Sequence, residues 1–159
     1  NILLYSEKQP YPGKIAKSSF PIPHKINRNA TENEHHEVEW LAGGLVIIRT
    51  KHFIKHNYYK FKGKAYCEDL INSYFLKKRG IKLFLTSKLS FKTDEESYRN
   101  YSFTRFIQYL YRDFVVRNYY RKMINKKFIP LIIAYIYLII SFISSRLNIK
   151  NPNLYKSFL

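Results

Sequence analysis

Residues 61–89 read FKGKAYCEDLINSYFLKKRGIKLFLTSKL, and in this stretch spacing, turn chemistry and charge agree. Leu70, Ile71, Tyr74 and Phe75 recur at helical spacing, Lys77, Lys78 and Arg79 crowd the last turn where cations complement the helix dipole, and Gly80 supplies the stop. The pattern predicts a helix that ends at Gly80. Beyond it Ile81, Leu83 and Leu85 alternate with Lys82, Phe84 and Thr86, the period of a strand with a buried face. A strand is therefore expected over residues 81–89, completing a helix, glycine and strand unit with a basic rim.

Directly upstream, residues 49–64 interleave bases and rings more densely than any other part of the chain. Arg49, Lys51, His52, Phe53, Lys55, His56, Tyr58, Tyr59, Lys60, Lys62 and Lys64 all fall there. Cations neutralise phosphates and release counterions, while Tyr and Phe rings stack on unpaired bases, so this combination suits RNA better than lipid. The competing expectation for each single Tyr or Phe is a place in the core. The candidate RNA-binding residues are Arg49, Lys51, Lys55, Lys60, Lys62 and Lys64, with Lys77, Lys78, Arg79, Lys82 and Lys88 from the helix and strand unit.

The whole chain shares this bias. Lys and Arg number 28 against 11 Asp and Glu, a formal charge of +17 that internal pairing cannot neutralise, so a polyanion is the expected neighbour. At 159 residues there is material for about one domain. Fifteen Tyr and twelve Phe against one Trp, with abundant Ile, Lys and Asn, is the signature of AT-rich codons and points to an organellar or AT-rich genome. Cys67 is the single cysteine, which excludes an intrachain disulfide framework and multi-cysteine zinc sites, and it is expected as a half-buried packing residue of the helix.

Residues 1–30 carry Pro10, Pro12, Gly13, Pro21 and Pro23 in a basic, aromatic run without periodicity, and are expected to form an extended arm, either a tail or a segment laid along RNA. They show no Arg- and Ser-rich targeting segment and no signal peptide, so an organellar product would be expected to be made inside its organelle. The acidic run TENEHHEVE at residues 31–39 is expected as a solvated helical turn. Its adjacent His35 and His36 point in different directions on any regular element and make a poor metal site. Gly43 and Gly44 permit a bend but lack the Lys-Ser/Thr of a phosphate loop.

On the C-terminal side, Thr93 and Glu96 have the spacing of a capping box. Phe103, Phe106, Ile107, Leu110, Tyr111, Phe114, Val115, Asn118 and Tyr119 then follow helical periodicity, with Arg105, Arg112, Arg117, Arg121 and Lys122 expected largely on the remaining surface. Residues 128–145, FIPLIIAYIYLIISFISS, carry no charge and are bounded by Lys126, Lys127 and Arg146. They fit a transmembrane helix, with the denser cations keeping the preceding region on the matrix or cytoplasmic face, and fit equally one or two strands buried on both faces.

The central stretch resembles the C-terminal domain of the third small-subunit ribosomal protein. That family has an Asn eight residues before a Gly, then Gly-Ile-Lys and alternating apolar residues closing on Ser or Thr, a base and Leu, matched here by Asn72, Gly80, Ile81, Lys82, Leu83, Leu85, Thr86, Lys88 and Leu89. Leu41, Leu45 and Val46 fall at its Leu-x-x-x-Leu-Val helix start, and Phe61, Lys62 and Lys64 at its Phe-base-base run, although Gly63 interrupts that run and Ser90 and Phe91 replace a glycine pair. The match covers residues 41–89. Residues 87–107 are similar, more faintly, to the tenth small-subunit protein.

The resemblance implies a structural constituent of a mitochondrial ribosome with rRNA, neighbouring ribosomal proteins and mRNA as partners, and it puts Lys62 and Lys64 where bases touch incoming mRNA. The expected class is α+β: a basic helix and strand unit in the middle, then a long amphipathic helix and a strongly apolar segment. The expected organisation is an arm over 1–30, an RNA-binding domain over 31–127, an apolar element over 128–145 and a basic tail over 146–159. The competing function is a membrane-anchored accessory subunit of a mitochondrial respiratory complex or ATP synthase, in the inner membrane. With no metal-ligand spacing, nucleophile elbow or nucleotide loop, neither catalysis nor a cofactor is expected.

Overall fold

A Schellman turn follows each of the first two helices among the described residues. A computed structural model of the chain describes residues 13–22, 35–41, 46–55, 59–60, 66–86 and 101–147. Among these the protein is α+β, with β1 (His35–Val38), α1 (Glu68–Lys78), β2 (Leu83–Thr86), α2 (Phe103–Met123) and α3 (Phe128–Arg146), and a single 3-10 turn at Thr50–His52. The chain divides into two compact units: Pro10–Ile15 with Pro21–Thr93, and Asn1–Gln9 with Ala16–Phe20 and Asp94–Leu159.

In the first unit, α1 ends as its sequence dictates. Gly80 takes a left-handed φ of 76°, its N–H bonds the Lys77 carbonyl at 2.9 Å, and the Ile81 N–H reaches back to the Leu76 carbonyl at 3.1 Å. This pair of bonds satisfies carbonyls that a helix end leaves bare, and Ile81 packs beside Leu76 in the usual apolar contact of the motif. A Cβ added at Gly80 would meet nothing within 4 Å, so the requirement for glycine is one of backbone conformation alone. Gly80→Ala is expected to lower stability by about 1–2 kcal/mol, read as a shifted urea midpoint with an unchanged slope.

Cys67 stands at the N-cap of α1 with φ 52°, half-buried rather than within the helix. β2 follows the turn and pairs antiparallel with β1 in the register Val38↔Leu83, Glu37↔Phe84, His36↔Leu85. The acidic run is thus a strand where it is described, not the helical turn expected from its composition. The ladder supplies the backbone hydrogen bonds, and period two buries Val38 against Leu83 while Glu37 and Phe84 face outward. Val38, Ile54, Leu76 and Leu83 form the core of this unit, with Leu41, Ile48, Phe75, Ile81 and Leu85 packed on it. Glu39 ties in the N-terminal segment: its N–H donates to the Gly13 carbonyl and its carboxylate accepts from the Ile15 N–H, both at 2.7 Å.

The second unit is an antiparallel helical hairpin. Ser102 caps α2 by accepting from the Arg105 N–H at 3.3 Å, whereas Thr93 and Glu96 lie outside the described residues. Asn125, at φ 53°, closes α2 in a second Schellman turn, with Lys126 N–H bonding the Arg121 carbonyl and Asn125 N–H that of Lys122. The Arg121 guanidinium donates to the Lys126 carbonyl at 2.6 Å and lies 5.3 Å from the Phe128 ring, so one side chain braces the turn from both ends. α3 is one unbroken helix, and the alternative of buried strands for residues 128–145 falls away. Leu131, Tyr135, Leu138 and Phe142 pack on Phe106 and Leu110, with the Phe106 and Phe142 rings stacked at 3.7 Å.

The buried face of α2 is rotated from the expected one. Phe103, Ile107, Tyr111 and Tyr119 are exposed, and Phe106, Leu110, Asp113, Val116, Arg117 and Tyr120 are buried. Arg117, expected on the surface, is only 7% exposed because Asp113 one turn earlier takes its charge through two hydrogen bonds of 2.8 and 3.0 Å. Tyr135 of α3 donates its hydroxyl to the same carboxylate. The guanidinium also donates to the Ser19 carbonyl at 3.4 Å and lies 4.0 Å from the Phe20 ring. Residues 16–20 are accordingly a folded turn with Ser18 and Ser19 fully buried, in a stretch whose prolines suggested an extended arm.

Candidate nucleic-acid interface

Most of the cations singled out in the sequence stand on two segments that share one small apolar core. Arg49 and Lys51 flank and enter the 3-10 turn Thr50–His52, and Lys55 follows it; Ile48 and Ile54 of the same segment pack on the core. Lys77 and Lys78 form the last turn of α1, Arg79 caps it, and Lys82 precedes β2, while Leu76, Ile81 and Leu83 between them are anchored in that same core. The apolar residues therefore fix the backbone on which the charges stand. Arg49, Lys51, Lys55, Lys60, Lys77, Lys78, Arg79 and Lys82 are all exposed. Lys62, Lys64 and Lys88 lie outside the described residues.

Helix polarity explains part of this pattern. Bases at the C-terminal end of α1 face its negative dipole end, a stabilisation worth some tenths of a kcal/mol at exposed positions. It accounts for charge at Lys77 and Lys78 but not for the bases after Gly80 or around the 3-10 turn. Lys82 pairs with Glu37 at 3.8 Å, both side chains more than half exposed. Such a pair is solvent-screened and contributes little, so an incoming phosphate competes for Lys82 at small cost.

Two rings accompany the bases. Phe53, already marked in the 49–64 run, is 63% exposed, and Phe84, on the outward face of β2 opposite Glu37, is 50% exposed. Phe84 is absent from the candidate RNA-binding set because that set consists of cations alone. The signal was present in the alternation, since Leu83 and Leu85 face inward and the residue between them must face out. Tyr59 is half-buried.

Among the described residues no group of three or more His, Cys, Asp or Glu is placed to hold a metal ion. His36 lies on β1 with its side chain exposed. What the arrangement offers chemically is dense positive charge with accessible ring faces. No protein-family model, curated protein or solved structure matches this chain.

Proposed function

We propose that the chain is a non-catalytic RNA-binding protein, a structural constituent of a mitochondrial ribosomal small subunit that lies against rRNA through the basic surface of its α1–β2 unit. The observation that carries this reading is the display of seven exposed cations, Arg49, Lys51, Lys55, Lys77, Lys78, Arg79 and Lys82, on the two segments that pack Ile48, Ile54, Leu76, Ile81 and Leu83 into one apolar cluster. A net charge of +17 supports it, as do exposed Phe53 and Phe84 beside the bases. The mitochondrial particle and the nearness to mRNA are supported by the sequence resemblance and the AT-rich composition.

The test is co-sedimentation of the full chain with the small ribosomal subunit at moderate salt. In parallel, the combined variant Lys77→Gln, Lys78→Gln, Arg79→Gln, Lys82→Gln is titrated with RNA. Four lost phosphate contacts are expected to weaken binding to all sequences alike and to flatten the dependence of log K on log salt by about 3. Unchanged affinity and slope would remove this surface from the RNA interface.

A second reading is favoured by α3, a helix of 19 residues whose 18-residue apolar window has a mean hydropathy of 2.2, long and apolar enough to cross a membrane. It makes the chain a membrane-anchored accessory subunit of a respiratory complex or ATP synthase. A spanning α3 would have to leave α2, giving up the Tyr135 to Asp113 hydrogen bond and the Phe106 stack on Phe142.

A further inference from the structure

α3 buries one side and leaves the other bare. Leu131, Ala134, Tyr135, Leu138, Ser141 and Phe142 are buried, and at 3.6 residues per turn they occupy an arc of about 120°. Centred on the opposite side, Ile129, Ile136, Tyr137, Ile139, Ile140 and Ile143 are each more than 40% exposed and span roughly 160°. A contiguous isoleucine face of this kind is unlike the scattered single apolar residues of an ordinary soluble surface.

Charge placement says what covers it. No ionisable carboxylate, lysine or arginine interrupts residues 128–145, whereas Lys126 and Lys127 stand at one end and Arg146 at the other. The helix, about 28 Å long at 1.5 Å per residue, is thus an apolar strip with a cation at each end. A protein partner would need an apolar face but has no reason to require bases at both ends. An anionic bilayer suits both, since acyl chains take the isoleucines and headgroup phosphates take Lys126 and Lys127, with Arg146 exposed at the far end while it donates to the Tyr101 carbonyl.

We propose that α3 lies in the plane of an anionic membrane, its isoleucine face sunk to the boundary between headgroups and acyl chains while its other face stays packed on α2. The inference rests on the helical hairpin alone and holds whether or not the basic surface of the other unit binds RNA. The geometry favours lying on the bilayer over crossing it. α2 runs antiparallel along α3 and carries Arg112, half-buried, and the Asp113–Arg117 ion pair near its middle, charged groups that cannot follow α3 through a hydrocarbon core at small cost.

The experiment is flotation of the full chain, free of RNA, with vesicles of phosphatidylcholine alone and of phosphatidylcholine with phosphatidylglycerol. The parent is expected to float with the anionic vesicles. Ile136→Gln with Ile140→Gln, both pointing away from α2, should partition about 30-fold less while keeping the parent's circular dichroism. Lys126→Gln with Lys127→Gln should weaken anionic binding by about fivefold per lysine. A dye on Ile140→Cys, in a Cys67→Ser background, should be quenched by shallow-labelled lipid more than by lipid labelled near the bilayer midplane.

Four results would overturn the proposal. They are no flotation with either vesicle, equal flotation of the Ile→Gln variant (which would assign binding to the basic surface alone), stronger quenching from the midplane, and a lipid-free dimer dissolved by the Ile→Gln change.

Discussion

Asp113→Leu is expected to destabilise the helical hairpin by about 3–5 kcal/mol, the largest effect of any single change considered for this chain. The carboxylate is 3% exposed and accepts two hydrogen bonds from Arg117 and a third from Tyr135. Without it a guanidinium only 7% exposed keeps the Ser19 carbonyl at 3.4 Å and the Phe20 ring, neither of which neutralises its charge. The cost arises from that uncompensated charge and not from a lost attraction, because the desolvation of both ions offsets most of what they gain from each other. Asp113→Leu with Arg117→Leu should therefore recover most of the stability. Urea unfolding followed by far-UV circular dichroism measures both, and a single variant within 1 kcal/mol of the parent, taken as roughly the scatter of ordinary substitutions, would contradict this role for the pair.

The second large effect is on alkaline stability. Burial, and after it the neighbouring Asp113 carboxylate, hold the Tyr135 phenol well above its ordinary range, with Arg117 pulling the other way. A raised folded value means that the proton is held more tightly in the folded chain. The stabilisation is fully present below about pH 10, the ordinary phenol value, and is lost as pH rises beyond it while the unfolded chain ionises. Up to about 1.4 kcal/mol should disappear per pH unit above that point. Tyr135→Phe should remove that slope between about pH 10 and 11.5, even though it costs a hydrogen bond at neutral pH. Parallel slopes for parent and variant would show that Tyr135 is not held protonated by its surroundings.

How far these features could be read from the amino-acid order depends on how local their causes are. α1, its stop at Gly80 and the strand after it were legible because period, dipole complement and turn chemistry all lie within residues 68–86. The length of α2 was legible for the same reason, but its buried face was not. Asp113 and Arg117 sit at the i, i+4 spacing of a surface pair, and only Tyr135, brought in from α3, makes that pair a core element. β1 was missed because its partner is β2, some fifty residues on, and an acidic run gives no local hint of that ladder. For α3, isoleucine-rich composition suits a buried strand as well as a helix, and the choice is made by packing on α2. On the basic surface, the exposed bases were legible since charged residues rarely bury, and the outward position of Phe84 was legible in its place between Leu83 and Leu85.

The basic surface is the centre of this account, and the salt dependence of RNA binding tests it most directly. Association of the full chain with small-subunit rRNA should show log K falling linearly with log salt, with a slope steeper than that of the four-cation variant by about 3. A binding curve insensitive to salt, or one that the Lys77, Lys78, Arg79 and Lys82 changes leave untouched, would contradict it.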